Sequence, residues 1–358
     1  MKTISSKAVV LLGSIVLAAG CSNPDPALDQ GSILGDGEYS TEPIGVSRFS
    51  RGNFIKADGS STVFPISYEA AQRYQRENSN APAIAVSFSG TGDGFDKFCA
   101  GETDINNASR PISTEEMAEC KANGIQYLEL PIALDAITVV VNPENDWAED
   151  ITTEELKKIW EPSAQGSIDN WNQVRSSWPD QPLTLYGPGE ESGTFDYFTE
   201  VIIDESGGSR TDYTQDEDDS ALVEAIAQDP NALGYFGLGY YAANWNRLKS
   251  LAVDNGQQSA QPSADAVRAL EYQPLSRPLL IYVDIGSLEA KPELQSFVEY
   301  YVESVQNWVP FVGYVPLEEE TYALVSERFQ QRVVGTTYGG ELEFDIPISE
   351  RLQRESVY

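Results

Sequence analysis

Three stretches place hydroxyl residues beside glycine where a helix is about to begin, and that combination suits the capture of an oxyanion. The first is Ile55-Lys56-Ala57-Asp58-Gly59-Ser60-Ser61-Thr62-Val63-Phe64-Pro65: an apolar strand, a glycine turn, three consecutive hydroxyls, then a helix. A helix start leaves several amide N–H groups unpartnered and carries partial positive charge, so hydroxyls there enlarge a donor set that an anion can use. The second, Ser89-Gly90-Thr91-Gly92-Asp93-Gly94, follows the apolar run Ala83-Ile84-Ala85-Val86-Ser87-Phe88. The third, Gly187-Pro188-Gly189-Glu190-Glu191-Ser192-Gly193-Thr194, follows Leu183-Thr184-Leu185-Tyr186. Read alone, any one of them is a helix cap as readily as a ligand site. Together they repeat one chemistry three times.

A cation is available in Asn107-Ala108-Ser109-Arg110-Pro111-Ile112. Proline biases Arg110 toward extended backbone, from which a guanidinium can reach a tetrahedral anion bidentately. A surface ion pair with one of the many acids is the alternative. Arg110 is the single guanidinium expected at the anion. The sequence contains no histidine, which excludes Ser-His-Asp triads, His-ligated zinc and His general bases. Ser192 is not a nucleophile elbow, because two residues separate it from Gly189 and no histidine exists to activate it. No metal or cofactor is expected.

The chain is 358 residues long, more than one comfortable core, so two lobes are the expectation. Its formal charge of −33 disfavours nucleic acid and anionic membrane surfaces as partners. An anion therefore needs a local positive pocket. Lys2 and Lys7 flank an apolar run from Ala8 to Ala19 that is too short to span a membrane and right for a secretion signal. It ends Leu17-Ala18-Ala19-Gly20-Cys21, which resembles a bacterial lipobox and implies cleavage after residue 20 and lipidation of Cys21. Residues 21–52 are rich in Pro, Gly, Ser, Asp and Glu and read as a flexible tether. Cys99 and Cys120 remain, either as a disulfide or as two buried thiols.

The elements that must position these turns follow in order. Residues 64–77 read as an amphipathic helix with Pro65 in its first turn. Ser113–Glu116 and Thr152–Glu155 are capping boxes. Ala136–Val141 is β-branched and apolar on both faces, a buried strand at the first crossing between lobes. Trp160 and Trp171 are expected to pack in the second lobe, and Asp216–Asp219 to be solvated. Asn231–Gly237 and Leu279–Val283 read as further core strands. Late helices carry Leu294, Phe297, Val298 and Tyr301, then Tyr322, Val325 and Phe329. The expected organisation is residues 53–140 plus 246–340 as a discontinuous first lobe, 141–245 as the second, and 341–358 as an acidic, poorly patterned tail.

Taken with Ser192-Gly193-Thr194-Phe195-Asp196-Tyr197-Phe198 and Ala232-Leu233-Gly234-Tyr235-Phe236-Gly237, the first turn and the Arg110 segment resemble the phosphate-specific substrate-binding proteins of bacterial ABC transporters. The resemblance is to the PstS family, and within it to the cyanobacterial SphX-like lipoproteins. It implies an α/β fold of the two-lobed periplasmic binding protein type, each lobe a central β-sheet flanked by helices, joined by crossover strands and closing like a hinge. It further implies an extracytoplasmic monomer, lipid-anchored, that captures inorganic phosphate without covalent chemistry and delivers it to a permease. A phosphatase-like enzyme, or a phosphate-responsive adhesin or sensor, is the alternative. The phosphate ligands implied are Thr62, Val63 and Phe64 with Ser61 adjacent, Thr91, and Ser192, Gly193 and Thr194. Arg110 stands where the best-known members carry an aspartate, and Pro188 near where they carry an arginine, so the charge is expected to have changed lobes. Asp196, Asp135 and Glu191 are candidates to accept the phosphate proton. Asp196 is preferred, two residues past Thr194 at a helix start.

Overall fold

The computed structural model describes residues 54–190, 192–205, 207–340 and 346–358; the expected signal peptide, the tether and Cys21 lie outside the described residues. Its strands are β1 (Phe54–Gly59), β2 (Ala83–Val86), β3 (Ile105–Ala108), β4 (Tyr127–Val141), β5 (Asp150–Thr152), β6 (Thr184–Gly187), β7 (Thr214–Gln215), β8 (Ala232–Gly237), β9 (Lys249–Ser250), β10 (Ala252–Asp254), β11 (Ser259–Ala260) and β12 (Ser276–Asp284). The α-helices are α1 (Phe64–Glu77), α2 (Thr91–Cys99), α3 (Thr114–Asn123), α4 (Thr153–Trp160), α5 (Trp171–Val174), α6 (Gly193–Phe198), α7 (Asp219–Gln228), α8 (Leu238–Ala243), α9 (Ala264–Arg268), α10 (Ile285–Ala290), α11 (Pro292–Ser304), α12 (Glu319–Gln331) and α13 (Ile348–Arg351).

The main sheet runs β2-β1-β3-β12-β4-β8-β6-β7, with β9 also on β4. Two α/β lobes share it. In one, β1 lies parallel to β2 and β3; in the other, β6 lies parallel to β8 and β7. The antiparallel pair β4 and β12 joins them. Residues 127–136 of β4 pair with β12, and residues 137–141 pair with β8, so one strand belongs to both lobes. All fifteen residues of β4 are buried.

This strand is longer than the apolar run Ala136–Val141 that marks it in the sequence. Glu129, Pro131 and Asp135 break the pattern upstream. The structure satisfies each: Glu129 accepts from the Tyr282 hydroxyl at 2.7 Å and from the Thr337 amide at 2.9 Å, and Asp135 pairs with Arg277. A register shift opposite Leu279 and Leu280 accommodates the proline.

The first turn is tightened by a glycine contact. Gly59 has φ +124°, and a Cβ there would lie 2.2 Å from the Asn107 carbonyl oxygen; one on Gly94 would lie 2.3 Å from Asn106 Oδ1 and 2.4 Å from Gly59 Cα. Helix α2 is thereby pressed onto the end of β1. Both expected capping boxes form, at Ser113 and Thr152. Cys99 and Cys120 are joined as a disulfide between α2 and α3. Trp160 and Trp171 are both buried.

The closing segment, acidic and poorly patterned in sequence, is nonetheless held against the body. Of residues 341–358, the described part 346–358 is docked: Arg351 is 1 % exposed, Leu352 joins the main core, and Val357 exchanges two backbone hydrogen bonds of 2.9 Å with Thr336. Ile348 and Leu352, which pack on the main core, are too few to show a periodic pattern, and Val357 is held through its backbone.

Replacing Gly94 by alanine is expected to destabilise the protein by about 2 kcal/mol through overpacking. Gly92→Ala in the same helix, where a new Cβ meets nothing closer than 3.8 Å, should leave urea unfolding essentially unchanged.

Candidate functional site

The three hydroxyl turns and both lobes meet at a cavity of about 240 Å³, lined by Ser60, Ser61, Thr62, Gly90, Thr91, Ser109, Arg110, Gly193, Asp196, Glu200 and Arg277. Of the residues expected there, Ser61, Thr62, Thr91, Arg110, Gly193 and Asp196 are on the wall. Val63 and Phe64 turn their side chains into the core, and the Phe64 amide donates to the Ser60 carbonyl at 3.0 Å. Ser192 and Thr194 sit behind Gly193, the Ser192 hydroxyl accepting from the Thr194 amide at 3.1 Å as an N-cap. Asp135 is buried away from the wall, and Glu191 lies outside the described residues.

Each wall has a local cause. Thr91 opens α2 and shares its hydroxyl with Ser109 at 3.1 Å, tying the second turn to the Arg110 segment. Arg110 meets both readings of its sequence context. Its guanidinium grips Glu116 at 2.8 and 2.9 Å and donates to the Pro111 carbonyl at 3.1 Å, yet it still faces the cavity. Those contacts leave Nε and one Nη2 hydrogen for a ligand. The bond to Glu116, the same residue that closes the α3 capping box, holds Arg110 still more firmly protonated than a free guanidinium.

The structure adds a second guanidinium where one was expected. Arg277 lies on β12, 4 % exposed, directly across the strand pair from Asp135, with Nε to Oδ2 at 3.2 Å. Its Nη2 donates to Thr62 Oγ1 at 3.0 Å and to the Gly193 carbonyl at 3.1 Å, so one side chain touches the turns of both lobes. The Tyr197 ring lies 3.8 Å beneath it. A sequence signal existed: Ser276-Arg277-Pro278 repeats Ser109-Arg110-Pro111, and β12 runs antiparallel beside β3 with Leu280 opposite Ala108. The two tripeptides therefore reach the same end of that strand pair. Burial drives the Asp135 carboxyl upward in pKa, and the Arg277 charge opposes it. Asp196 is also raised, by burial first, with Arg277 opposing and Glu200 adding.

Gly193 is required by contact. A Cβ there would fall 2.2 Å from Thr62 Oγ1 and 2.8 Å from Ser61 Oγ, so only glycine lets the third turn close on the first. Among the described residues, no group of carboxylates or thiols is disposed to hold a metal ion, and no helix is long and apolar enough to cross a membrane.

A PBP superfamily domain model matches residues 23–305. The chain belongs to the PBP superfamily and, within it, to the family that contains SphX and the PstS phosphate-binding proteins. It is 49 % identical over 304 residues to protein SphX of Synechocystis sp., covering 85 % of this chain and 90 % of that one. It is 32 % identical over 323 residues to the phosphate-binding protein PstS of Staphylococcus haemolyticus, covering 90 % and 95 %. Among solved structures, a possible phosphate-binding protein from Planctomyces limnophilus superposes with TM-score 0.70 at 41 % identity, covering 79 % of this chain and 98 % of that chain.

Removing the guanidinium by Arg277→Met should leave Asp135 buried without its partner and cost about 3 kcal/mol at neutral pH. A carboxyl whose folded pKa is raised destabilises when ionised, so the deficit should shrink as pH falls through that raised value. Urea unfolding of both proteins at neutral and mildly acidic pH measures it.

Proposed function

We propose that this protein is an extracytoplasmic receptor, anchored through lipid on Cys21, that closes its two lobes around inorganic phosphate and passes it to an ABC permease as a monomer. The observation that carries the reading is the cavity wall: five hydroxyl residues and two guanidiniums from one lobe, faced by Gly193, Asp196 and Glu200 from the other, within a chain of formal charge −33. Hydrogen bonds to a charged group contribute about 1.5–3 kcal/mol each, enough in combination to replace an oxyanion's hydration and offset the global field. Ser61, Thr62, Thr91, Arg110, Arg277 and Gly193 would border the ligand directly. Val63, Phe64, Ser192 and Thr194 belong to the two helix starts that aim at it. Asp196 would accept the phosphate proton. The relatives' names favour binding over a phosphatase or an adhesin.

In this reading the lobes are residues 53–140 plus 246–340 and residues 141–245, with the β4–β12 pair as hinge, except that residues 137–140, β9 and β10 go with the second lobe, because they pair with β8, with the end of β4 and with β5. Residues 21–52 would give the body reach from the membrane.

Isothermal titration of the mature domain should show phosphate binding with little heat from sulfate, and p-nitrophenyl phosphate should not be hydrolysed. Arg110→Ala should weaken phosphate by at least about tenfold, or ~1.4 kcal/mol. Asp196→Asn should erode the preference for phosphate over sulfate, because the lone pairs of a bare sulfate oxygen no longer face a carboxylate. Absence of phosphate binding in the unaltered domain would overturn the reading.

A further inference from the structure

Both guanidiniums at the cavity already have carboxylates of their own: Arg110 has Glu116 and Arg277 has Asp135. Two more carboxylates, Asp196 and Glu200, open onto the same cavity, and among the described residues neither side chain has a hydrogen bond or ion pair. Four acids thus surround two cations. Asp196 and Glu200 stand four residues apart on one helical stretch, where α6 gives way to a π-helical turn, Thr199–Ile203. The buried Thr199 hydroxyl donates to the carbonyls of Phe195 and Asp196 at 2.9 and 3.0 Å and accepts from the Gly207 amide at 2.8 Å. Such back-bonding widens the turn. The stretch presents both acids to the anion space.

The groups facing Glu200 come from every wall. Asp196 and Tyr197 share its own helix, Arg110 with Glu116 faces it from the opposite lobe, and Arg277 with Asp135 lies at the cavity floor. From α4, packed behind the π turn, Lys157 pairs with Asp204, and Lys158 donates to the Gln173 and Val174 carbonyls. Among the described residues no cation pairs with Glu200; Arg110, held by Glu116, acts on it only through its field across the cleft. Asp196 and Glu200 are both exposed toward the cleft, so an anion filling the space displaces part of their water, and Glu200 then either receives a proton donor from that anion or faces its lone pairs.

We infer that Glu200 is a specificity-determining residue, the second of two proton acceptors that make the cavity select phosphate as its doubly protonated monoanion. The inference rests on the phosphate-receptor reading above and adds the protonation state of the ligand. A monoanion bearing two hydrogens gives Asp196 and Glu200 one donor each and brings a single negative charge. Singly protonated phosphate satisfies one acid, and sulfate neither.

The test is titration calorimetry with inorganic phosphate from about pH 6 to about pH 8.5, for the unaltered mature domain and for Glu200→Gln. Above the second ionisation of phosphate the diprotonated fraction falls about tenfold per pH unit, so the dissociation constant of the unaltered domain should rise about tenfold per unit. In Glu200→Gln, whose amide can donate to the second oxygen, the rise should fall below about threefold per unit. A flat profile in the unaltered domain, or a Glu200→Gln profile that superimposes on it, overturns the inference while leaving phosphate binding intact. No phosphate binding at any pH overturns the receptor reading itself.

Discussion

Everything at this site depends on one buried ion pair. Arg277 and Asp135 are opposite residues on β12 and β4, the two central antiparallel strands, and both are nearly inaccessible to water. An isolated guanidinium there would be untenable, and a lone carboxylate would take up a proton. Paired, they hold a fixed positive group at the junction of two lobes in a chain with 56 acids and 23 basic residues. The guanidinium then uses its Nη2 donors on Thr62 of one lobe and Gly193 of the other, which leaves Nη1 for an anion. A fixed cation on the cavity wall and the contact between the turns of the two lobes thus reside in one side chain.

The arrangement shows why hydroxyls, and not further cations, make up most of the wall. A second or third unpaired arginine would hold the lobes apart when empty and would bind any dianion. Hydroxyls are neutral, serve as donor or acceptor, and leave discrimination to the few groups that carry charge. Thr91 illustrates the point: its hydroxyl lies on the cavity wall and is shared with that of Ser109. That bond can be exchanged for one to an anion without exposing a bare charge.

Much of the fold was legible because its signals are local. The capping boxes at Ser113 and Thr152, Pro65 in the first turn of α1, and the β-branched end of β4 are set by neighbours a few residues away. The three hydroxyl turns were legible for the same reason. Glu129 and Asp135 were not, because their partners are 153 and 142 residues distant and each acid read alone argues against a buried strand. Arg277 was hidden by its own company: a proline and a hydrophobic run make the segment read as plain core. Only its tripeptide likeness to the Arg110 segment marked it out. Glu200 was missed since its place on the wall depends on the π turn, which no local pattern announces. The docked C-terminal segment escaped notice because the surface that receives it is built by residues far upstream.

The sharing of β4 between lobes bears on how the molecule can move. With residues 127–136 bonded to β12 and 137–141 to β8, neither lobe can swivel as if on a slack string without breaking a ladder of backbone hydrogen bonds. Motion must be spread as a few degrees of added twist along a continuous ribbon, the soft mode of a two-stranded sheet. A spring of that kind has a preferred rest angle and returns to it. Any change of angle between the lobes would then be taken up elastically by this ribbon, with the surrounding side chains following.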